Sequence, residues 1–224
     1  MTQTKTIADA GSTPAGSTIF RINIQNKKRS NNYHIMATLY IFDFDDTLAM
    51  TDSHVRVIRI DGSVERLDSR QFAKYRYADG DQLDFSEFTR ADGTLIEDTV
   101  DAMEDAISSS GIQNVYIVTA RAQAEPVEEF LEAMGVSVPE VVATAGSEGK
   151  ATWLTRQLET NSYDTVMVYE DCRKNITMLQ DIVEAYNEEL DKNVMYKAIC
   201  ILPGGNQEIV ESLLRKLIKL NLYT

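Results

Sequence analysis

Five short apolar runs separated by longer amphipathic stretches constrain this chain more than any other feature. They are residues 38–44 (TLYIFDF), 115–119 (VYIVT), 141–144 (VVAT), 166–169 (VMVY) and 198–202 (AICIL). Their apolar character is continuous rather than alternating, as in strands buried on both faces. Between and after them, residues 96–109, 125–134, 150–158, 175–190 and 209–220 read as helices. In the first of these, Ile96, Val100, Met103 and Ile107 recur at helical spacing and Gly111 follows as a stop; in the second, Pro126 suits the first turn and Gly135 lies past the end. Strand–helix alternation with right-handed crossovers predicts an α/β fold with a doubly wound, parallel, five-stranded sheet.

One stretch breaks the rhythm. Residues 47–93 hold no βα unit and are longer than an ordinary connection. Residues 55–60 (VRVIRI) and 64–67 flank Asp61-Gly62, a hairpin signal, residues 69–77 suit a short helix, and residues 78–93 are acidic and loop-like. This predicts a small cap insertion at about 50–93. It carries Arg56, Arg59, Arg66, Arg70, Lys74, Arg76 and Arg90, positive charge suited to a phosphate-rich substrate or balanced by neighbouring acids.

Charge narrows the partners. The formal net charge is -13, but residues 1–35 hold Lys5, Arg21, Lys27, Lys28 and Arg29 against Asp9 alone, leaving the remainder more acidic still. An acidic body repels polyanions at long range, which argues against bulk duplex DNA binding while leaving room for one phosphate and a metal ion. Residues 1–35 are rich in Ser, Thr, Gly and Asn, have no sustained period, and read as a disordered tail before a domain spanning 36–224. A leader or upstream extension fits them better than a transit peptide. No apolar run approaches the roughly 18 residues of a membrane span. Cys172 and Cys200 form neither a disulfide framework nor a zinc pattern, so the expected home is the reducing cytoplasm.

The candidate site follows from where the strands end, since ligands of open parallel sheets bind beyond the carboxyl ends of the strands. The first run ends in Asp43-Phe44-Asp45-Asp46-Thr47, the second in Thr119-Ala120-Arg121, and the fourth in Glu170-Asp171, while Gly149-Lys150 follows the third and opens a helix. Asp43 and Asp45 stand two apart on extended backbone, so both carboxylates are expected on one side, where they repel unless a cation lies between them. Magnesium suits such hard oxygen ligands. The bland readings are a solvated acidic turn, a helix-capping Thr119, a surface Lys150 with Lys174 as competitor, and an N-capping acidic pair. His34 and His54 carry no local signature, Cys172 reads as a small packing residue, and Trp153 is expected to pack its helix on the sheet.

Taken together, these residues resemble the haloacid dehalogenase-like (HAD) hydrolase superfamily. Its hhhhDxDxT motif is matched by residues 39–47, its second-motif Ser or Thr by Thr119, its lysine by Lys150 and its acidic pair by Glu170-Asp171, in the family's order. The resemblance implies a Rossmann-like domain and a magnesium-dependent phosphatase. Asp43 would be the nucleophile, forming an aspartyl-phosphate, and Asp45 the general acid and base. Thr119 would hold a phosphate oxygen and Lys150 would neutralise charge on the phosphate and on Asp43. Asp43, Asp45 (through its backbone carbonyl), Asp171 and Glu170 would form the metal shell, Asp171 ahead of Glu170.

The resemblance also implies a substrate class: a nucleotide, a nucleic-acid end or another small phosphorylated molecule. Residues 170–175 (EDCRKN) are similar to the Glu-Asp-Arg fourth motif of polynucleotide-end phosphatases and RNA-repair domains, with Cys172 displacing the arginine to Arg173. Two rivals stand beside this reading. One is a non-catalytic phosphate- or metal-binding module on the same fold. The other is a phosphotransferase or phosphonatase, for which Lys74 is the candidate cap lysine.

Overall fold

The computed structural model describes residues 37–72 and 74–210. The expected tail at 1–35 lies outside them, as does the expected helix from residue 211 onward. The elements in chain order are β1 (Thr38–Phe42), β2 (Ala49–Thr51), β3 (Val55–Ile58), β4 (Val64–Leu67), α1 (Ser69–Phe72), β5 (Gln82–Asp84), β6 (Gly93–Leu95), α2 (Glu97–Ser110), β7 (Val115–Thr119), α3 (Glu125–Ala133), β8 (Glu140–Ala143), α4 (Ser147–Thr160), β9 (Thr165–Glu170), α5 (Arg173–Leu190), β10 (Met195–Ile201) and β11 (Gln207–Val210). Among the described residues, no helix is long and apolar enough to cross a membrane.

The central sheet has six strands in the order β11-β10-β9-β1-β7-β8. The expected five are all present and parallel, and β11 adds an antiparallel edge beside β10, with Ala198 opposite Val210 and Ile201 opposite Gln207. This corrects two expectations: the sheet has six strands, and Ile209 and Val210 belong to a strand rather than to a helix start. Local apolar spacing is ambiguous over four residues, and the open ladder edge of β10 decides it.

Burial explains the layers. Leu39, Ile41, Val166, Val168 and Ala198 face one side, against Leu154 and Leu158 of α4 and Ile176, Leu179 and Val183 of α5. Phe42, Val115, Ile117 and Val141 face the other, against Val100 and Met103 of α2 and Val127, Phe130 and Leu131 of α3. Each such side chain contributes about 1.5–3 kcal/mol by leaving water. Trp153 packs as expected, its ring 5.1 Å from Tyr116.

The insertion is a small β structure. β2 and β6 pair antiparallel as a two-stranded neck, and β4-β3-β5 form a three-stranded sheet beyond it. The Asp61-Gly62 hairpin is present, with Gly62 at φ 82, a left-handed turn conformation that glycine adopts without penalty. The acidic stretch taken for loop instead supplies β5 and a single 3-10 turn (Ser86–Thr89), and the expected helix at 69–77 shrinks to Ser69–Phe72. β5 reads poorly because its three residues gain their stability from pairing with β3.

Candidate functional site

Asp43 directly follows β1, and its N–H still donates to the Tyr169 carbonyl at 3.0 Å, so the adjoining strand holds its position. The chain then closes sharply. The Phe44 carbonyl accepts from the N–H groups of Thr47, Leu48 and Ala49 at 3.2, 2.9 and 3.0 Å. Asp46 takes φ 58, a left-handed conformation that Asp tolerates better than most residues. Phe44 and Leu48 are fully buried beneath the turn.

Asp43 and Glu170 meet over Lys150. The Lys150 Nζ donates to Asp43 Oδ1 at 2.6 Å and to Glu170 Oε2 at 2.7 Å. Lys150 is 2% exposed, and it lies one turn inside α4 rather than at the helix start expected from sequence. Gly149 makes the approach possible, because a Cβ there would stand 2.3 Å from the Thr144 carbonyl oxygen. Glu170 is further bound by the Cys172 N–H at 3.2 Å and Asn175 Nδ2 at 3.1 Å. Asp43 Oδ2 accepts no hydrogen bond from any described residue.

The electrostatics of this cluster are dominated by carboxylates. Burial raises the Asp43 carboxyl well above its ordinary range, and the charges of Glu170 and Asp171 add to that, while Lys150 opposes it. Burial pulls the Lys150 ammonium down, but Asp43 and Glu170 outweigh it and leave it raised. Asp171 is pushed up to about 7 by burial and by Glu170 and Asp46, against the pull of Arg70. Oxygens of Asp43, Glu170 and Asp171 all lie within 4.8 Å of one another. Asp43 and Glu170 share the one buried ammonium, and Asp171 has, among the described residues, only the 3.4 Å contact with the partly exposed Arg70, which leaves negative charge to be balanced. A hard divalent ion such as Mg2+ fits that donor set and that deficit.

Asp45 stands apart from this cluster. Arg121 grips it with both teeth, Nε to Oδ2 at 2.9 Å and Nη2 to Oδ1 at 2.8 Å, and Thr51 Oγ1 donates to Oδ1 at 2.6 Å. The expectation of one cation between Asp43 and Asp45 is therefore corrected: each carboxylate has its own protein cation. Arg121 is 3% exposed. Its guanidinium also donates to the Phe88 and Arg90 carbonyls at 3.1 and 2.8 Å and to Ser53 Oγ at 3.0 Å, and lies between the Phe44 and Phe88 rings, 5.3 and 5.0 Å from their centroids. One core residue thus fastens Asp45 and the insertion together.

The insertion returns a contact of its own. The Ser69 hydroxyl donates to Asp46 Oδ2, and Arg70 Nε stands 3.4 Å from Asp171 Oδ2 and 3.8 Å from Asp46 Oδ2. Arg56, Arg59 and Arg66 are instead spent inside the insertion on Asp84, Glu65 and Glu87. His54 joins the last pair, its backbone N–H donating to Glu87 at 3.1 Å.

The remaining sequence candidates sort as follows. Thr119 is fully buried at the end of β7, and its hydroxyl oxygen accepts from the Arg121 N–H at 3.2 Å. Lys174, the competitor of Lys150, is exposed on α5. Arg173 pairs with Glu208 of β11 at 2.5 Å with its side chain 59% exposed, on the outer surface. Cys172 and Cys200 are both free thiols. The structure adds roles the sequence did not assign to Arg121, Ser53, Thr51 and Asn175. For Arg121 the only sequence signal was its place two residues beyond a strand-end threonine. Compared with family models, with curated proteins and with solved structures, the chain has no match.

Proposed function

We propose that this chain is a Mg2+-dependent phosphomonoesterase that works through an aspartyl-phosphate on Asp43, in the manner of the HAD phosphatases its motifs resemble. The observation that carries this reading is the Lys150 bridge to Asp43 and Glu170, which orients Asp43 through one oxygen and leaves the other without a hydrogen bond from any described residue. A buried carboxylate beside a fixed ammonium and two further acids is a nucleophile arranged to meet an anionic electrophile.

In this mechanism Asp43 Oδ2 attacks phosphorus and forms a P–O bond. The bond from phosphorus to the leaving oxygen breaks, and its electron pair stays with that oxygen, which takes a proton from the Asp45 carboxyl. Water then attacks the phosphorus, Asp45 accepts its proton, and the Asp43–phosphorus bond breaks to release inorganic phosphate. Asp43, Asp171 and Glu170 would hold Mg2+, which when bound offsets charge between the phosphate and the carboxylates. Lys150 supplies the fixed positive charge on the protein side. Both Asp45 oxygens accept hydrogen bonds from Arg121 and Thr51, so its proton transfer requires one of these contacts to open.

The test is hydrolysis of p-nitrophenyl phosphate with Mg2+, followed by a panel of 3′- and 5′-phosphorylated oligonucleotides, mononucleotides and sugar phosphates. Wild type is expected to turn over. Asp43→Asn is expected to lose at least about 10⁴-fold in kcat, as removal of a covalent nucleophile does, while still unfolding cooperatively. The rival, a binding module, draws on the closure of Asp45 by Arg121. It predicts Mg2+ binding with no hydrolysis of any substrate in the panel. A preference for oligonucleotide ends would place the substrate there, although Arg173, the residue behind that resemblance, faces Glu208.

A further inference from the structure

The seven basic residues of the insertion are not equivalent. Among the described residues, Arg70 is the one whose guanidinium reaches the carboxylate cluster. Arg56, Arg59 and Arg66 are held by acids of the insertion itself. Lys74, Arg76 and Arg90 are exposed and form no ion pair with a described residue. The geometry at Arg70 is loose. Its single hydrogen bond to Asp171 is 3.4 Å long, and its two Nη groups have no acceptor among the described residues. A guanidinium carries five donors in a planar fork matched to phosphate and carboxylate oxygens, and here most of that fork is unspent. The Arg70 side chain is 31% exposed against 8% for Asp171, so it stands between solvent and the buried acids.

We propose that Arg70 is the insertion's phosphate-recognising residue, and that it competes with a divalent cation for Asp171. This rests on the phosphatase reading and adds to it a residue and a coupling. The charge argument is direct. Arg70 and a divalent ion are both positive and both draw on the Asp171 carboxylate, so each weakens the other's hold. A phosphomonoester dianion has the opposite effect on Arg70: it offers two or more oxygens to the fork, and bidentate charge-assisted bonds are stronger than one long contact. Cation binding at Asp171 therefore turns Arg70 away from the carboxylate, and the incoming phosphate receives it. An oxygen of Asp171, the contact of Arg70, lies within 4.8 Å of one on Asp43, so Arg70 borders the pocket that a phosphoryl group on Asp43 would enter. Asp46 gives the guanidinium a second resting place, and Ser69 holds Asp46 in position for it.

The experiment compares wild type, R70Q, R70K and the control R66Q by calorimetry with Mg2+ alone, and by inhibition of p-nitrophenyl phosphate hydrolysis with inorganic phosphate at saturating Mg2+. R70Q is expected to bind Mg2+ about threefold more tightly, as loss of a partly exposed competing ion pair predicts. It is expected to bind phosphate about tenfold more weakly, as loss of hydrogen bonds to a charged group predicts. R70K retains charge without the fork and should recover the Mg2+ effect but not the phosphate effect. R66Q should match wild type in both. Mg2+ affinity in R70Q equal to or below wild type overturns the proposal, as does unchanged inhibition by phosphate. A wild-type protein that neither binds Mg2+ nor hydrolyses phosphomonoesters overturns the phosphatase reading, and the role of Arg70 falls with it. A wild type that does both while R70Q behaves identically overturns the role of Arg70 alone.

Discussion

Asp43 and Asp45 are two residues apart and lead opposite electrostatic lives. Asp43 is buried among other acids, shares one ammonium with Glu170 and keeps one oxygen without a hydrogen bond from any described residue. Asp45 is held on both oxygens by a guanidinium that also binds two carbonyls of the insertion. The first environment concentrates unbalanced charge, and the second cancels it. The difference teaches that one DxD pair can serve two purposes. Its first carboxylate lies buried in an acidic cluster that could hold a metal ion. Its second ties the turn after β1 to the insertion.

The comparison can be broken most severely at Lys150. Lys150→Ala leaves two buried carboxylates without their cation and should cost about 3–5 kcal/mol of stability in urea unfolding. Adding Glu170→Gln should recover part of that loss, because one of the stranded charges is gone. If the single variant unfolds like wild type, the Asp43 side is not charge-stressed and the contrast fails.

Arg121→Ala attacks the other side. It removes the partner of Asp45 and the donors to Phe88 and Arg90, with an expected loss of about 3 kcal/mol by the same reasoning for a broken buried pair. Its distinguishing sign is local: limited proteolysis within residues 52–90 should accelerate relative to Lys150→Ala at matched global stability. Equal cleavage in the two variants would show that Arg121 does not fasten the insertion.

The pH response sharpens the contrast further. The Asp171 carboxyl, raised from 3.8 to about 7 by burial and by Glu170 and Asp46, is favoured in its protonated form by the fold. Its contribution to stability is fully present below about 4, the ordinary aspartate range, and is lost as pH rises toward 7. A cation binds the ionised form, so the Mg2+-induced rise in Tm should be larger at pH 8 than at pH 5. A shift independent of pH would sever Asp171 from the proposed cation site. The smallest effect is expected in the insertion: Arg66→Gln, which opens an exposed pair with Glu87, should change stability by less than about 1 kcal/mol.

Much of the site was legible because strand ends are local features. The run 38–44 ends in Asp43, and the adjoining strands deliver Thr119 and Glu170-Asp171 wherever the sheet forms. Lys150 was legible as a residue and misplaced by one helical turn, since Gly146 leaves no side-chain cap to mark the start. Arg121 was visible in the sequence but not its grip on Asp45, which joins residues 76 positions apart. The third strand of the insertion and the edge strand β11 were misread because their stability comes from partners rather than from composition.

The sequence by itself determined the five parallel strands and which polar residues stand at their carboxyl ends, while their spatial order came from the fold. The strands and their ends follow from apolar periodicity and chain direction, which are properties of neighbouring residues. Only the tertiary structure decided the other pairings of cation and carboxylate: Glu170 beside Asp43 on Lys150, Arg121 with Asp45, Arg70 with Asp171. Charges pair through space across distances that chain spacing does not encode, and burial then sets how strongly each pair is felt.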